Sequence, residues 1–247
     1  MRGNVTAFTM ISSQLSMRYL WMFVSFSLWV SCGKKESVSS GGKSGAEIVE
    51  LTANALVYDN SAGLTFQVGE ISPFTGKAVW YYPSGQIEQT SMYLDGKEHG
   101  SEIWWHESGA RAGQSEYKIG VLDGPTVQWY PDGKQMEFQT MFRNGKQHGK
   151  EIWWHSNGKN KSITPYVNGN RLGKAKGWFQ DGTLAWEADW KDDEPHGKYS
   201  EWYESGQIKS EKNLVMGIEE GLEVWWFEHG QKSWEVTWKE GRMTGML

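Results

Sequence analysis

Glycine recurs along this chain at a fixed interval, and that interval constrains the fold more than any other feature. Gly76, Gly100, Gly124, Gly149, Gly173, Gly197, Gly221 and Gly245 are 24 residues apart, with a single gap of 25. Nine residues beyond each of the first seven stands another: Gly85, Gly109, Gly133, Gly158, Gly182, Gly206 and Gly230. A third set, Gly96, Gly120, Gly145, Gly169, Gly217 and Gly241, falls four residues before the next opening glycine, with Asp193 in the remaining place. These three sets hold 21 of the 30 glycines. A period of this length marks tandem units, each too small to bury its own apolar face and dependent on its neighbours to do so.

With the opening glycine as column zero, the aromatic residues keep the same register. Column five is Tyr81, Trp105, Trp129, Trp154, Trp178, Trp202 and Trp226. Column six is Tyr82, His106, Tyr130, His155, Phe179, Tyr203 and Phe227, a ring every time. Column three is mostly aliphatic, and column seventeen carries Tyr93, Tyr117, Phe142, Tyr166, Trp190, Leu214 and Trp238. Columns two to seven alternate and are rich in β-branched and aromatic residues, the pattern of a strand. Turn sequences such as Asp132-Gly133 and Asn157-Gly158 follow, then a second strand and a second glycine turn.

The expected fold is therefore all-β: about seven 24-residue antiparallel hairpins joined into one elongated, twisted sheet. Residues 76–247 form the repeat domain, and residues 48–75 an N-terminal cap with a degenerate half-repeat at Leu64 to Gly76. Strict alternation places columns three, five and seventeen on one face as a continuous apolar ridge. Columns four and six then share the other face, which is aromatic but interrupted by polar residues. That face is the candidate binding surface: Tyr82, Trp104, His106, Tyr130, Trp153, His155, Phe179, Tyr203, Trp225 and Phe227. Rings at regular spacing can stack on flat ligands or anchor a protein partner. The same rings can equally serve to pack a thin sheet.

The segment before the repeats has a different character. Residues 1–32 contain no acidic residue, and Leu20–Val30 is an apolar run too short to span a bilayer. Met17-Arg18-Tyr19 before that run reads as the start of a signal peptide, with Met17 as a second possible start. The run ends in Ser31-Cys32-Gly33, which resembles a bacterial lipobox, so Cys32 is the expected lipidation site. An ordinary secretory signal followed by an incidental thiol is the alternative. Residues 33–47 are rich in Gly, Ser and Lys and read as a flexible tether. The expected address is the bacterial cell envelope, as a membrane-anchored lipoprotein or else a secreted or periplasmic protein.

One cysteine excludes an internal disulfide framework and a Cys-cluster zinc site. A net charge of −5 provides no basic footprint for nucleic acid. The chain carries no G-x-S-x-G elbow, H-E-x-x-H or P-loop. The expectation is a protein that is not an enzyme and uses no cofactor or metal.

The unit G-x-x-x-x-W-[YWHF]-x-x-x-G, followed eleven residues on by a further G-x-x-x-G, resembles the MORN repeat. It is most similar to the bacterial variant of YwqK-type antitoxin proteins. The resemblance covers residues 76–245 and implies tandem β-hairpins used for protein scaffolding or, in some members, for phospholipid headgroups. The expected function is non-catalytic protein–protein binding or scaffolding at the envelope, with an unidentified protein as partner and the membrane engaged through the lipid. The alternative is recognition of cell-wall polysaccharide or of phospholipid headgroups by the aromatic face. For headgroups, the cluster Lys134, Arg143, Lys146, Lys150, Lys159 and Lys161 would have to outweigh the overall negative charge.

Overall fold

A computed structural model describes residues 48–246. Its main feature is one sheet of 19 strands, all but one of them consecutive in an antiparallel meander. The first repeat pairs Gly76–Tyr81 with Ile87–Leu94, and Lys97–Trp105 continues into the second, beside Arg111–Lys118. The same arrangement runs on through Lys232–Lys239 and Arg242–Met246. Among the described residues the only helical element is one short 3-10 turn, Ala53–Ala55.

Two kinds of turn alternate along the sheet, and each explains one glycine column. Within a repeat, the Gly85 N–H donates to the Tyr82 carbonyl and the Tyr82 N–H to the Gln86 carbonyl, both at 2.8 Å. This is a three-residue loop whose last residue, Gly85 at φ +87°, must be left-handed. Between repeats the loop has two residues, both at positive φ, as in Asp95 (49°) and Gly96 (77°). That is the type I′ geometry, whose twist matches the flanking strands. Asp193 stands in the glycine column yet adopts the same conformation at φ 68°. Its carboxylate accepts from the Arg171 backbone N–H at 2.8 Å and from the Arg171 Nε at 3.1 Å. The extra residue of the third repeat lies in its first loop, where Trp129 pairs with Met136 and Tyr130 donates to Gln135.

A bulge in every repeat overturns one expectation about the faces. Trp80 pairs with Gln89, but Tyr81 pairs with Ile87, so Glu88 has no cross-strand partner. The extra residue reverses the alternation beyond the turn. Column seventeen therefore lies opposite column zero, as Tyr93 opposite Gly76, and shares its face with columns two and four. Columns three and five do occupy one face, together with columns one, fourteen and sixteen.

The face bearing columns two, four, fifteen and seventeen is the packed one. Its central line is Ala78, Ser91, Ser115, Thr126, Thr140, Glu151, Ala175, Ala188, Glu223 and Val236, all buried. These residues are paired across neighbouring strands, as in Ala78 with Ser91, Ser115 with Thr126 and Ala175 with Ala188. Small side chains in the middle let the large rings on either side lie over them, so the sheet covers its own spine.

The N-terminal cap also departs from the half-repeat expectation. Leu64–Gln67 pairs with Leu56–Asp59 in a separate two-stranded hairpin. The place beside Gly76–Tyr81 is taken by Glu50–Thr52, running parallel. Only Phe74 and Thr75 act as the end of a preceding unit. The Phe74 carbonyl accepts from the Gly96 N–H at 2.8 Å, and the Thr75 hydroxyl accepts from the Asp95 N–H at 2.9 Å.

Candidate functional site

The candidate residues separate into two groups. Trp104, Trp153 and Trp225, in column four, stand on the packed face, across the central line from the column-seventeen residues. Tyr82, His106, Tyr130, His155, Phe179, Tyr203 and Phe227, in column six, lie just past the strand ends, in the first loop of each repeat. They do not share a face with column four.

Column six joins one repeat to the next. The Tyr82 hydroxyl donates to the Trp105 carbonyl at 2.8 Å, Tyr130 to Trp154 at 2.7 Å and Tyr203 to Trp226 at 2.9 Å. His155 Nε2 makes the same contact with the Trp178 carbonyl at 2.9 Å. The His106 Nε2, also in column six, is buried without a hydrogen-bond partner. The opposite edge is joined through the type I′ turns. The Gly120 N–H donates to Glu98, Gly145 to Leu122 and Gly169 to Gln147, all backbone bonds within 2.7–2.8 Å. On that edge His99 Nδ1 accepts from the Ile119 N–H at 3.4 Å.

Column four and its neighbours form an aromatic layer over buried carboxylates. The Trp104 ring lies over Gly113, where any Cβ would collide with the indole; this, and no turn, is why that residue is glycine. Trp186 covers Gly177 in the same way. Phe138 and Trp153 meet with ring centroids 4.6 Å apart, and Trp225 stacks on Trp234 at 5.9 Å. Such pairs contribute about 0.5–1.5 kcal/mol beyond the area they bury.

Three column-two glutamates lie under these rings. Glu223 accepts from the Trp225 indole at 3.1 Å and from the Trp238 indole at 2.7 Å. Glu151 accepts from Trp153 at 3.2 Å and from the Gln147 amide at 2.9 Å. Glu102 accepts from the Gln89 amide at 2.7 Å and more distantly from Ser91 at 3.4 Å. Burial pushes the Glu102 carboxyl up to about 7, with repulsion from Glu98 adding to it. Burial also raises Glu98 and Glu151, the latter against the opposing pull of Gln147, Trp153 and Arg171. It raises the Tyr166 phenol to about 12. Arg171 stacks on Trp190, its guanidinium carbon 3.7 Å from the ring centroid.

The alternation rule pointed to the rings and missed these acids. Column two reads Ala, Glu, Thr, Glu, Ala, Tyr, Glu and so carries no hydrophobic signal. Its position in register, two residues past the opening glycine and always inside the strand, is the one sign that it is enclosed. Among the described residues no group of three or more His, Cys, Asp or Glu side chains is arranged to hold a metal ion. Nor is any helix there long and apolar enough to cross a membrane. Cys32 lies outside the described residues.

Fold and surface together define an all-β tandem-hairpin repeat protein. Within that class, three of its repeats match the MORN repeat variant, at residues 74–95, 147–168 and 195–215. No curated protein matches the chain.

Proposed function

We propose that this protein is a non-catalytic binding scaffold of the bacterial envelope, tethered through an acylated Cys32 and engaging partner proteins along its repeat array. The observation that carries this reading is the shared register of the seven units. Each repeat presents the same columns on one continuous sheet, so a partner meets a ladder of positions in register and not a single cleft. Several polar groups of the packed face are engaged with one another: indoles with Glu151 and Glu223, and Arg171 with the Trp190 ring. That is the arrangement of a rigid support. Protein binding is favoured over the polymer and headgroup alternatives because four of the seven column-six rings, Tyr82, Tyr130, His155 and Tyr203, are bonded to neighbouring repeats.

Metabolic labelling with a fatty acid tests the tether: label is expected in the wild-type chain and absent from Cys32→Ser, and an unlabelled wild type would overturn it. Recovery of the anchored protein from its native membrane, with mass spectrometry of what accompanies it, tests the scaffold. A stoichiometric protein companion is expected; a companion polysaccharide in place of protein would point to the alternative.

A further inference from the structure

The face opposite the aromatic layer changes chemistry halfway along the array. In the fifth and sixth repeats it is a field of cross-strand ion pairs. Lys174 and Lys176 both reach Glu187, at 2.5 and 2.9 Å, and Lys198 reaches Glu211 at 2.5 Å. Lys174 also meets Asp189, and in the seventh repeat, which carries Leu222, Val224 and Trp226 on this face, Lys232 meets Glu235 on its own strand at 2.6 Å. This is how the sheet builds that face when water covers it.

In the first four repeats the central line of that face is neutral, and its charges, Lys77, Glu116 and Lys150, stand at the margin, with Lys77 paired to Glu50. The central line runs Val79, Thr90, Ile103, Gln114, Val127, Gln139, Ile152 and Ile163, each paired with the next across strands. On one side of it lie Tyr81, Trp105, Trp129 and Trp154, and on the other Met92, Pro125, Met141 and Pro165. Val79 and Thr90 are already enclosed within the chain, while Tyr81, Ile87 and Met141 around the line are exposed, 46%, 38% and 42% accessible. One sequence pattern thus yields a solvated half-face and an apolar half-face on a single sheet.

We infer that the apolar half-face is covered by the same half-face of a second copy of this chain, as a face-to-face sheet dimer. Its size fits. Eight strands spaced ~4.8 Å apart extend about 38 Å, and six residues at ~3.3 Å span about 20 Å. The footprint of about 750 Å² matches the roughly 800 Å² per partner of a standard stable interface. Its chemistry is self-complementary, as a two-fold contact requires. A neutral central line meets itself without like-charge repulsion, whereas the ion-paired half would have to desolvate Lys174, Lys176 and Lys198. The dimer does not depend on acylation, so loss of the fatty-acid label would leave it standing.

Crosslinking in the native membrane tests this, with the full chain carrying Gln114→Cys or Gln139→Cys and a bis-maleimide about 10 Å long, the spacing of packed sheets. The expected result is a homodimer band from both variants stronger than any given by the parent with its native Cys32 alone, and none beyond the parent's from Glu211→Cys. Absence of the band from the Gln variants, equal bands from Glu211→Cys, or a crosslink to a different protein would each overturn the proposal. Both Gln side chains are polar and partly accessible, so these variants keep the fold. As a second readout, Val127→Lys in the detergent-extracted chain should halve the mass by light scattering with unchanged far-ultraviolet dichroism. An unchanged dimer mass would contradict the assignment.

Discussion

At the scale of single residues, the design is one of enclosed polar groups held by rings. Glu102 is the clearest case, because its carboxyl stands at about 7 in the folded chain against an ordinary 4.5. A folded-state value raised in this way favours the protonated form. Its stabilising effect is complete below pH 4.5 and is lost as the pH rises through 7. At ~1.36 kcal/mol per unit the full change is on the order of 3 kcal/mol. Chemical denaturation at pH 5 and pH 8 should show Glu102→Gln abolishing this part of the wild-type difference. A pH response identical in the variant would remove Glu102 as its source. Tyr130→Phe tests a different residue-scale claim. Losing the hydroxyl bond to the Trp154 carbonyl should cost about 0.5–1.5 kcal/mol in the same experiment without unfolding the chain. The loss is limited because Phe179 and Phe227 occupy the same column without a hydroxyl.

At the scale of the hairpin, turn chemistry governs. Ile119 opens a type I′ turn at φ 51°, a conformation costly for a β-branched residue, where the third and fourth repeats place Asn144 and Asn168. Ile119→Asn should therefore stabilise the protein by about 1 kcal/mol, read as a higher denaturant midpoint. A lower midpoint would mean that the Ile119 side chain contributes packing that outweighs its strain. The turns were also the most legible part of the sequence, because glycine and asparagine at fixed offsets have one physical meaning there. The facing of the second strand was not legible. It depends on the unpaired bulge residue, Glu88 in the first repeat, and nothing in a list of side chains distinguishes a bulged residue from a paired one. That single residue moved Tyr93 and its column to the opposite face from the one expected. The cap was unreadable for another reason: Glu50–Thr52 is three residues long, belongs to no repeat, and is placed by parallel pairing with residues 27 positions further on.

At the scale of the whole array, the period specified the architecture, and the contacts between repeats account for it. Both sheet edges are joined unit to unit, by column-six rings at one edge and type I′ turns at the other. The column-two acids and the apolar half-face lay beyond the reach of the period, because both arise where the repeats differ from one another. If each 24-residue unit is an equivalent piece of one continuous sheet, a unit can be removed without loss of the rest. Removal of Gly173 to His196 joins Leu172 to Gly197 and keeps every column in register. The most direct measurement is the denaturant unfolding of that shortened chain. The account predicts an all-β protein that still unfolds cooperatively, with a denaturant slope lower by roughly a seventh, in line with the surface exposed on unfolding. A chain that fails to fold after loss of this one complete unit would contradict it.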